Sequence, residues 1–261
     1  MHEYPQKPRY DLDDLRAIVQ CLRAPDGCPW DREQTHESIR KNMIEECYEA
    51  VEAINKADPV LLTEELGDVL LQVYLHAQIA QDAGAFTLDD VADGICKKLL
   101  LRHPHVFGDQ EAADGEAALA NWDAVKRATK GQAPGSAPML SVPREFPALM
   151  RAQKVQKKAQ TAGLDFPDIA ATLQKIGEEL GELTEAVHSD NAEAIADELG
   201  DLLFSAVNTA RFADVDAEEV LTQATDKFIR RFTRLEQVLD KPIAETTAAA
   251  LDAAWEQIKR A

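Results

Sequence analysis

The sequence predicts an all-α fold made of two copies of one helical unit, and three observations carry that expectation. An acidic pattern occurs twice with its internal gap preserved. Glu45-Glu46-Cys47-Tyr48-Glu49 is followed by Glu65-Leu66-Gly67-Asp68, and Glu178-Glu179-Leu180-Gly181-Glu182 by Glu198-Leu199-Gly200-Asp201. Glu46 and Glu179, Glu49 and Glu182, Glu65 and Glu198, and Asp68 and Asp201 are each 133 positions apart, as are Trp122 and Trp255, and Lys126 and Lys259. A solvated charge run has no reason to repeat with its spacing intact, so this is an internal duplication. Aromatic residues make up only 6% of the chain, while Ala, Leu, Glu and Asp are plentiful, which favours helices over sheets. No stretch shows sustained strand alternation or a hairpin turn signal.

A chain of 261 residues holds one large domain or two ordinary ones. The duplication selects two units of roughly 110–130 residues, a normal domain size. The expected division is a helical domain over 8–128, a linker over 129–146 and a second helical domain over 147–261. A hydrophobic content of 45% is enough for packed cores. The net charge of −19 repels DNA, RNA and anionic membranes at long range, so neither a nucleic acid polymer nor a membrane is expected as partner. The 4 cysteines, Cys21, Cys28, Cys47 and Cys96, all lie in the first half, with Cys47 and Cys96 on apolar helical stripes. They read as free thiols of a cytoplasmic protein. The polar opening Met1-His2-Glu3-Tyr4-Pro5 does not read as a signal peptide, and no apolar run reaches membrane-spanning length.

In chain order, Asp11 to Arg23 is a helix by the spacing of Leu12, Leu15, Ile18, Val19 and Leu22. Ala24 to Asp31 is a loop by its Pro and Gly content. Glu37 to Ile54 is a helix with Ile44, Cys47, Tyr48 and Val51 as its expected buried stripe. Asp58-Pro59 caps the next helix, to about Asp82, with Leu66, Val69, Leu70 and Val73 inward. Thr87-Leu88-Asp89-Asp90 opens a helix to Arg102, and 102–108 is a turn or loop. Asp114 to Arg127 is a helix bearing Trp122 and Lys126. Gly131, Pro134, Gly135, Ser136, Pro138 and Pro143 mark 129–146 as linker. Pro147 to Thr161 is helical, Asp168 begins the motif helix to His188, and Ala192 to Ala213 follows with Leu199, Leu202, Leu203 and Val207 inward. Asp216-Ala217-Glu218-Glu219 reads as a capping box for a helix to Val238, and Thr246 to Arg260 closes the chain.

Each acidic pair has an i,i+3 spacing, which puts both carboxylates on one helix face. Two such helices face to face converge four like charges, and these repel unless a hard cation sits among them. The all-oxygen set favours Mg2+, with Mn2+ as a substitute, over iron or zinc. The Glu-x-x-His pairs of ferritin-like bundles do not occur at these positions. Mg2+ held by carboxylates commonly carries a substrate phosphate. Lys227 and Arg231 at i,i+4, and Lys175 one turn before Glu179, offer cations to a polyphosphate; Lys98 and Arg102 repeat the i,i+4 spacing. Read blandly, these are a solvated basic face balancing local acid. Trp122 and Trp255, each four residues before a Lys, suit a nucleobase, or are packed core tryptophans. His103 and His105 read as part of a turn or as phosphate contacts. Gly-x-x-x-x-Gly-Lys-Ser/Thr and Gly-x-Ser-x-Gly motifs do not occur, and the cysteines lack zinc-site spacing.

The doubled EExxE and ExxD pattern resembles that of the MazG-type nucleoside triphosphate pyrophosphohydrolases. Supporting stretches are Cys28-Pro29-Trp30-Asp31, Gln34-Thr35, Arg102-His103-Pro104-His105-Val106-Phe107 and Ala148 to Lys154. The resemblance covers nearly the whole chain in two-domain form. It implies tandem all-α domains that each dimerise into a helical bundle. It also implies Mg2+-dependent hydrolysis of NTPs and dNTPs to monophosphate and pyrophosphate, with the C-terminal copy as the active one. By position, Glu179, Glu182, Glu198 and Asp201 would hold Mg2+, with Glu46, Glu49, Glu65 and Asp68 as a second set. Lys175, Lys227 and Arg231 would meet phosphates, and Trp255 and Lys259 the nucleotide. A water near Glu178 or Glu182 would attack the α-phosphorus. Asn42 stands where the second copy has Lys175, which weakens the first copy's phosphate cradle. The segment Ser189 to Asp197 holds no Lys or Arg, where the family has a Lys. The expected function is clearance of non-standard or excess nucleotides from the pool. The alternatives are a helical dimer that senses nucleotides without turnover and a purely structural acidic bundle.

Overall fold

The computed structural model describes residues 4–109, 112–115, 117, 118, 121, 122, 125 and 137–260. The chain divides into two compact units, Met1–Lys130 and Gly131–Ala261. Among the described residues all regular structure is helical.

In the first unit the helices are α1 (Leu12–Arg23), α2 (Pro29–Glu33), α3 (Arg40–Asn55), α4 (Pro59–Asp82), α5 (Leu88–Arg102) and α6 (Pro104–Phe107). Asp11 starts α1 by accepting from the Asp13 and Asp14 amides, and Asp14 returns a bond to the Asp11 amide. Thr87 and Asp90 make the same reciprocal box before α5. The loops expected over 24–31 and 102–108 contain the short helices α2 and α6. Each begins with a proline, Pro29 or Pro104, because a first-turn proline gives up no needed N–H. Residues 115, 117, 118, 121, 122 and 125 are helical where the Trp122 helix was expected, while Lys126 lies outside the described residues.

The second unit contains α7 (Ala137–Leu140), α8 (Ala148–Thr161), α9 (Ile169–His188), α10 (Ala192–Phe212), α11 (Ala217–Val238), a 3-10 turn (Ile243–Glu245) and α12 (Ala248–Arg260). Thus the Pro/Gly/Ser-rich stretch carries, among its described residues, one helical turn, α7, which packs on α8. Asp216 caps α11 through the Glu218 and Glu219 amides, but the expected reciprocal bond is replaced. Glu219 accepts from Gln223 at 3.0 Å, and Glu218 accepts the Met150 amide at 3.1 Å.

Two helical hairpins carry the acidic motifs. Three residues join α3 to α4 and three join α9 to α10, which makes each pair neighbours packed along their lengths. The duplication extends to the turn. Ala57 and Asp190 both adopt φ 51°. Asp58 then accepts from the Val60 and Leu61 amides, and Asn191 from the Glu193 and Ala194 amides, capping α4 and α10 alike.

The first unit packs Val19, Ile39, Tyr74, Leu75 and Ile79 into an apolar core. Several residues expected inside lie on its surface. Ile44 is 47% exposed, Tyr48 57% and Val51 49%, while Ala50 and Ala53 are the buried residues of α3. Leu66, Leu199 and Leu203 are exposed as well, and so are Cys47 and Cys96. Periodicity locates an apolar stripe without saying what covers it. Here the stripe faces away from the chain's own core. All four cysteines are free.

Candidate active site

On α9, Glu179 and Glu182 sit one turn apart, and Glu198 reaches them from α10. One carboxylate oxygen from each of the three lies within 4.8 Å of the other two. Glu46 and Glu49 on α3 and Glu65 on α4 form the same trio, with the same limit. Asp201 and Asp68 stand outside these trios. Asp201 instead lines an adjoining cavity, and Asp68 acts on Glu46 through its charge.

Crowding shows in the proton affinities. Burial, then the charges of Glu182, Glu179, Asp197 and Asp201, push the Glu198 carboxyl above its ordinary value. Burial, then Glu49, Glu64 and Asp68, do the same to Glu65, and burial, then Asp68 and Glu49, to Glu46. Each trio therefore resists full ionisation and favours a cation among its oxygens.

The surroundings of the two trios differ. Lys175 donates to Glu179 Oε1 at 2.7 Å and lies 3.3 Å from Glu178 Oε2, and these hydrogen bonds raise its pKa. Glu179 is only 4% exposed, and its second oxygen, Oε2, is buried with no partner among the described residues. A buried carboxylate oxygen without a donor suits a hard divalent cation, so the residues present fit Mg2+. In the first unit Asn42 takes the place of Lys175. Glu178, Glu182 and Asp201 are exposed.

A cavity of about 620 Å³ adjoins the second trio, lined by Lys175, Glu179 and Asp201 together with Phe166, Phe204, Gln156 and Asn208. Of the other residues expected to bind substrate, Lys227, Arg231 and Lys259 line a different groove. Lys227, Arg230, Arg231, Arg234 and Lys259 surround about 310 Å³ between α11 and α12. Trp255 packs on Phe228, with ring centroids 5.5 Å apart and planes at 55°. Within one chain the structure thus joins Lys175 to the carboxylates and places Lys227, Arg231, Trp255 and Lys259 elsewhere. In the first unit, Arg102 stacks over Trp122 at 5.0 Å. Sequence reasoning missed Gln156 and Asn208. The available signal was Asn208 itself, a polar residue on the inward face of α10 where the duplicate has Leu75.

Fold and site define a class of all-α protein, one that repeats a helix hairpin whose glutamates converge on a point. Its membership follows from comparison with known proteins. The MazG nucleotide pyrophosphohydrolase domain matches twice, over residues 34–107 and 168–235, and each match contains one carboxylate trio. The "Nucleoside triphosphate pyrophosphohydrolase/pyrophosphatase MazG" of Thermotoga maritima is 43% identical over 251 residues, covering 95% of both chains. The nucleoside triphosphate pyrophosphohydrolase of Escherichia coli (strain K12) is 40% identical over 256 residues, 95% of this chain and 97% of that one. The uncharacterized YabN of Bacillus subtilis is 45% identical over 257 residues, 96% of this chain but 52% of that longer protein. The chain belongs to the MazG nucleotide pyrophosphohydrolase family.

Proposed function

We propose that this chain hydrolyses nucleoside triphosphates, NTPs and dNTPs alike, to monophosphate and pyrophosphate, and that the second unit does the work. The reading rests on one observation above others. The Glu179–Glu182–Glu198 trio has an ammonium group, Lys175, held 2.7 Å from its most buried member. When bound by Glu179, Glu182, Glu198 and Asp201, Mg2+ or Mn2+ supplies charge neutralisation at the phosphate oxygens. Lys175 is preorganised to follow negative charge as it develops on the leaving pyrophosphate. Glu178, beside the trio, or Glu182, within it, both exposed, accepts the proton of the attacking water. The water oxygen bonds to the α-phosphorus as the α–β bridging bond breaks.

The exposed apolar faces support a homodimer. Tyr48 and Val51 in the first unit, and Leu180, Leu199 and Leu203 in the second, present apolar surface beside the acidic motifs. We assign the contribution of Lys227 and Arg231 to phosphates, and of Trp255 and Lys259 to the nucleotide, to that dimer, since one chain keeps Lys227, Arg231 and Lys259 in another groove and Trp255 packed on Phe228. A cytoplasmic enzyme cleansing the nucleotide pool fits these properties. Among the described residues no helix is long and apolar enough to cross a membrane.

Pyrophosphate release from mixed NTPs and dNTPs, measured with Mg2+, with Mn2+ and after chelation, tests the reading. Release is expected with either metal and lost on chelation. Nucleotide binding without release would make the protein a sensor instead.

A further inference from the structure

Building on the pyrophosphohydrolase reading, we propose that Gln156 and Asn208 form a subsite for the hydrogen-bonding edge of the nucleobase. Their cavity of about 620 Å³ is of the size that small-molecule ligands fill, and it shares Lys175, Glu179 and Asp201 with the carboxylate site. A triphosphate at the carboxylates would therefore extend its nucleoside toward Phe166 and Phe204, whose rings offer flat apolar contact.

The two amides are fixed in opposite senses. Gln156 is 4% exposed, and its Nε2 donates to the Phe204 carbonyl at 2.8 Å. Reversing that amide would set oxygen against oxygen, so Oε1 is locked as an acceptor. It is buried and has no donor among the described residues. Asn208, also buried, commits its Oδ1 to Arg211, accepting from Nη2 at 3.0 Å and Nε at 3.3 Å. Arg211 is braced in turn by Asp165, Nη1 to Oδ2 at 3.1 Å. Asn208 is left with Nδ2 to donate. Phe204 and Asn208 lie one turn apart on α10, so the locked acceptor is anchored one turn from the donor.

This polarity is not a demand of the fold. At the position of Asn208 the first unit has Leu75, 5% exposed and packed in its apolar core. A helix hairpin of the same design therefore closes with a hydrocarbon side chain there. Each unit has a buried amide oxygen without a partner among the described residues, Gln72 Oε1 in the first and Gln156 Oε1 in the second, and the second adds an amide at the Asn208 position.

An acceptor and a donor lining one cavity are the complement that a Watson–Crick edge requires. Adenine offers an amino N–H beside a ring nitrogen, cytosine the same, and guanine and uracil a ring N–H beside a carbonyl. The subsite thus admits all four standard bases and selects against bases whose edge has no N–H. Such a base leaves Gln156 Oε1 unpaired in the complex.

Full-length protein should be titrated in Mg2+ with α,β-methylene ATP and with the matching purine riboside analogue, which lacks the exocyclic amine. Pyrophosphate release from ATP is measured alongside. Wild type is expected to bind the purine riboside analogue roughly tenfold more weakly, as an unpaired buried acceptor implies. In Gln156→Met the two analogues should bind within about twofold of each other, because the acceptor that tells them apart is gone. Asn208→Leu, which installs the first unit's residue, is expected to weaken both. Equal binding of the analogues by wild type would overturn the subsite, and so would a tenfold gap that survives in Gln156→Met. The wild-type comparison stands whether or not either variant folds. A binding gap without pyrophosphate release would instead overturn the hydrolase reading and leave the subsite in place. Binding of neither analogue overturns both.

Discussion

The two units hold the same three glutamates on the same capped hairpin and surround them differently. In the first, Asn42 precedes the trio, Gly94 stands where the second has Lys227, and Leu75 closes an apolar core. In the second, Lys175 reaches Glu179, a basic groove runs along α11, and Asn208 lines a polar cavity. What the duplication kept is the hairpin, its caps and its carboxylates. What diverged is the cations and the residue at the Leu75/Asn208 position. On the proposed reading, the convergent carboxylates hold the cation, and the neighbouring groups decide whether a polyphosphate is held and cleaved there.

The largest effect expected from this contrast concerns Lys175. Lys175→Ala should lower kcat/KM for pyrophosphate release by roughly 10²–10³-fold, the scale for losing one preorganised charge stabiliser. Asn42→Ala should leave it within about twofold; an equal loss in steady-state assays would erase the distinction between units. Next come the interiors. Leu75→Asn should destabilise the first unit by about 3 kcal/mol in chemical denaturation, since it removes buried hydrocarbon and buries an amide. Asn208→Leu should cost about 1 kcal/mol through the lost bonds to Arg211.

Metal and pH should act on both units alike. Burial and like charges raise Glu198, Glu65 and Glu46 above 4.5 in the folded chain. The folded state then binds protons more tightly than the unfolded one. Stability from this source is fully present below pH 4.5 and is lost as pH rises through the raised values. Saturating Mg2+ should therefore raise the melting temperature more at about pH 8 than at about pH 4. A calorimetric shift independent of pH would contradict the charge crowding in the trios. The smallest effects should be equal ones. Asp58→Ala and Asn191→Ala remove equivalent caps and should each cost about 1 kcal/mol.

Local chemistry made most of the fold legible. Asp58, Thr87, Asp168 and Asp216 cap helices where the sequence starts them, and Asp11 caps a helix that was read from its apolar spacing. The 133-residue offset between the acidic motifs locates both hairpins. Proline misled at Pro29 and Pro104, because a residue that ends one helix can begin another. The apolar stripe of α3 was seen but taken as part of the chain's own core, since periodicity does not record what covers a stripe. Of the site, i,i+3 spacing put Glu179 and Glu182 on one face, and the packing of two such helices was expected to bring Glu198 and Asp201 to them. Glu198 joins the trio and Asp201 stands outside it. Gln156 did not follow from spacing, because contact between α8 and α10 is set by packing across 48 positions that no local pattern records.

Turnover by Glu198→Gln set against Glu65→Gln decides the division of labour most directly. The two substitutions remove the same charge from equivalent positions of the two trios. Pyrophosphate release should vanish in Glu198→Gln and stay near the wild-type rate in Glu65→Gln. Equal loss from both would contradict a catalytic second unit beside a first that keeps only the cation site.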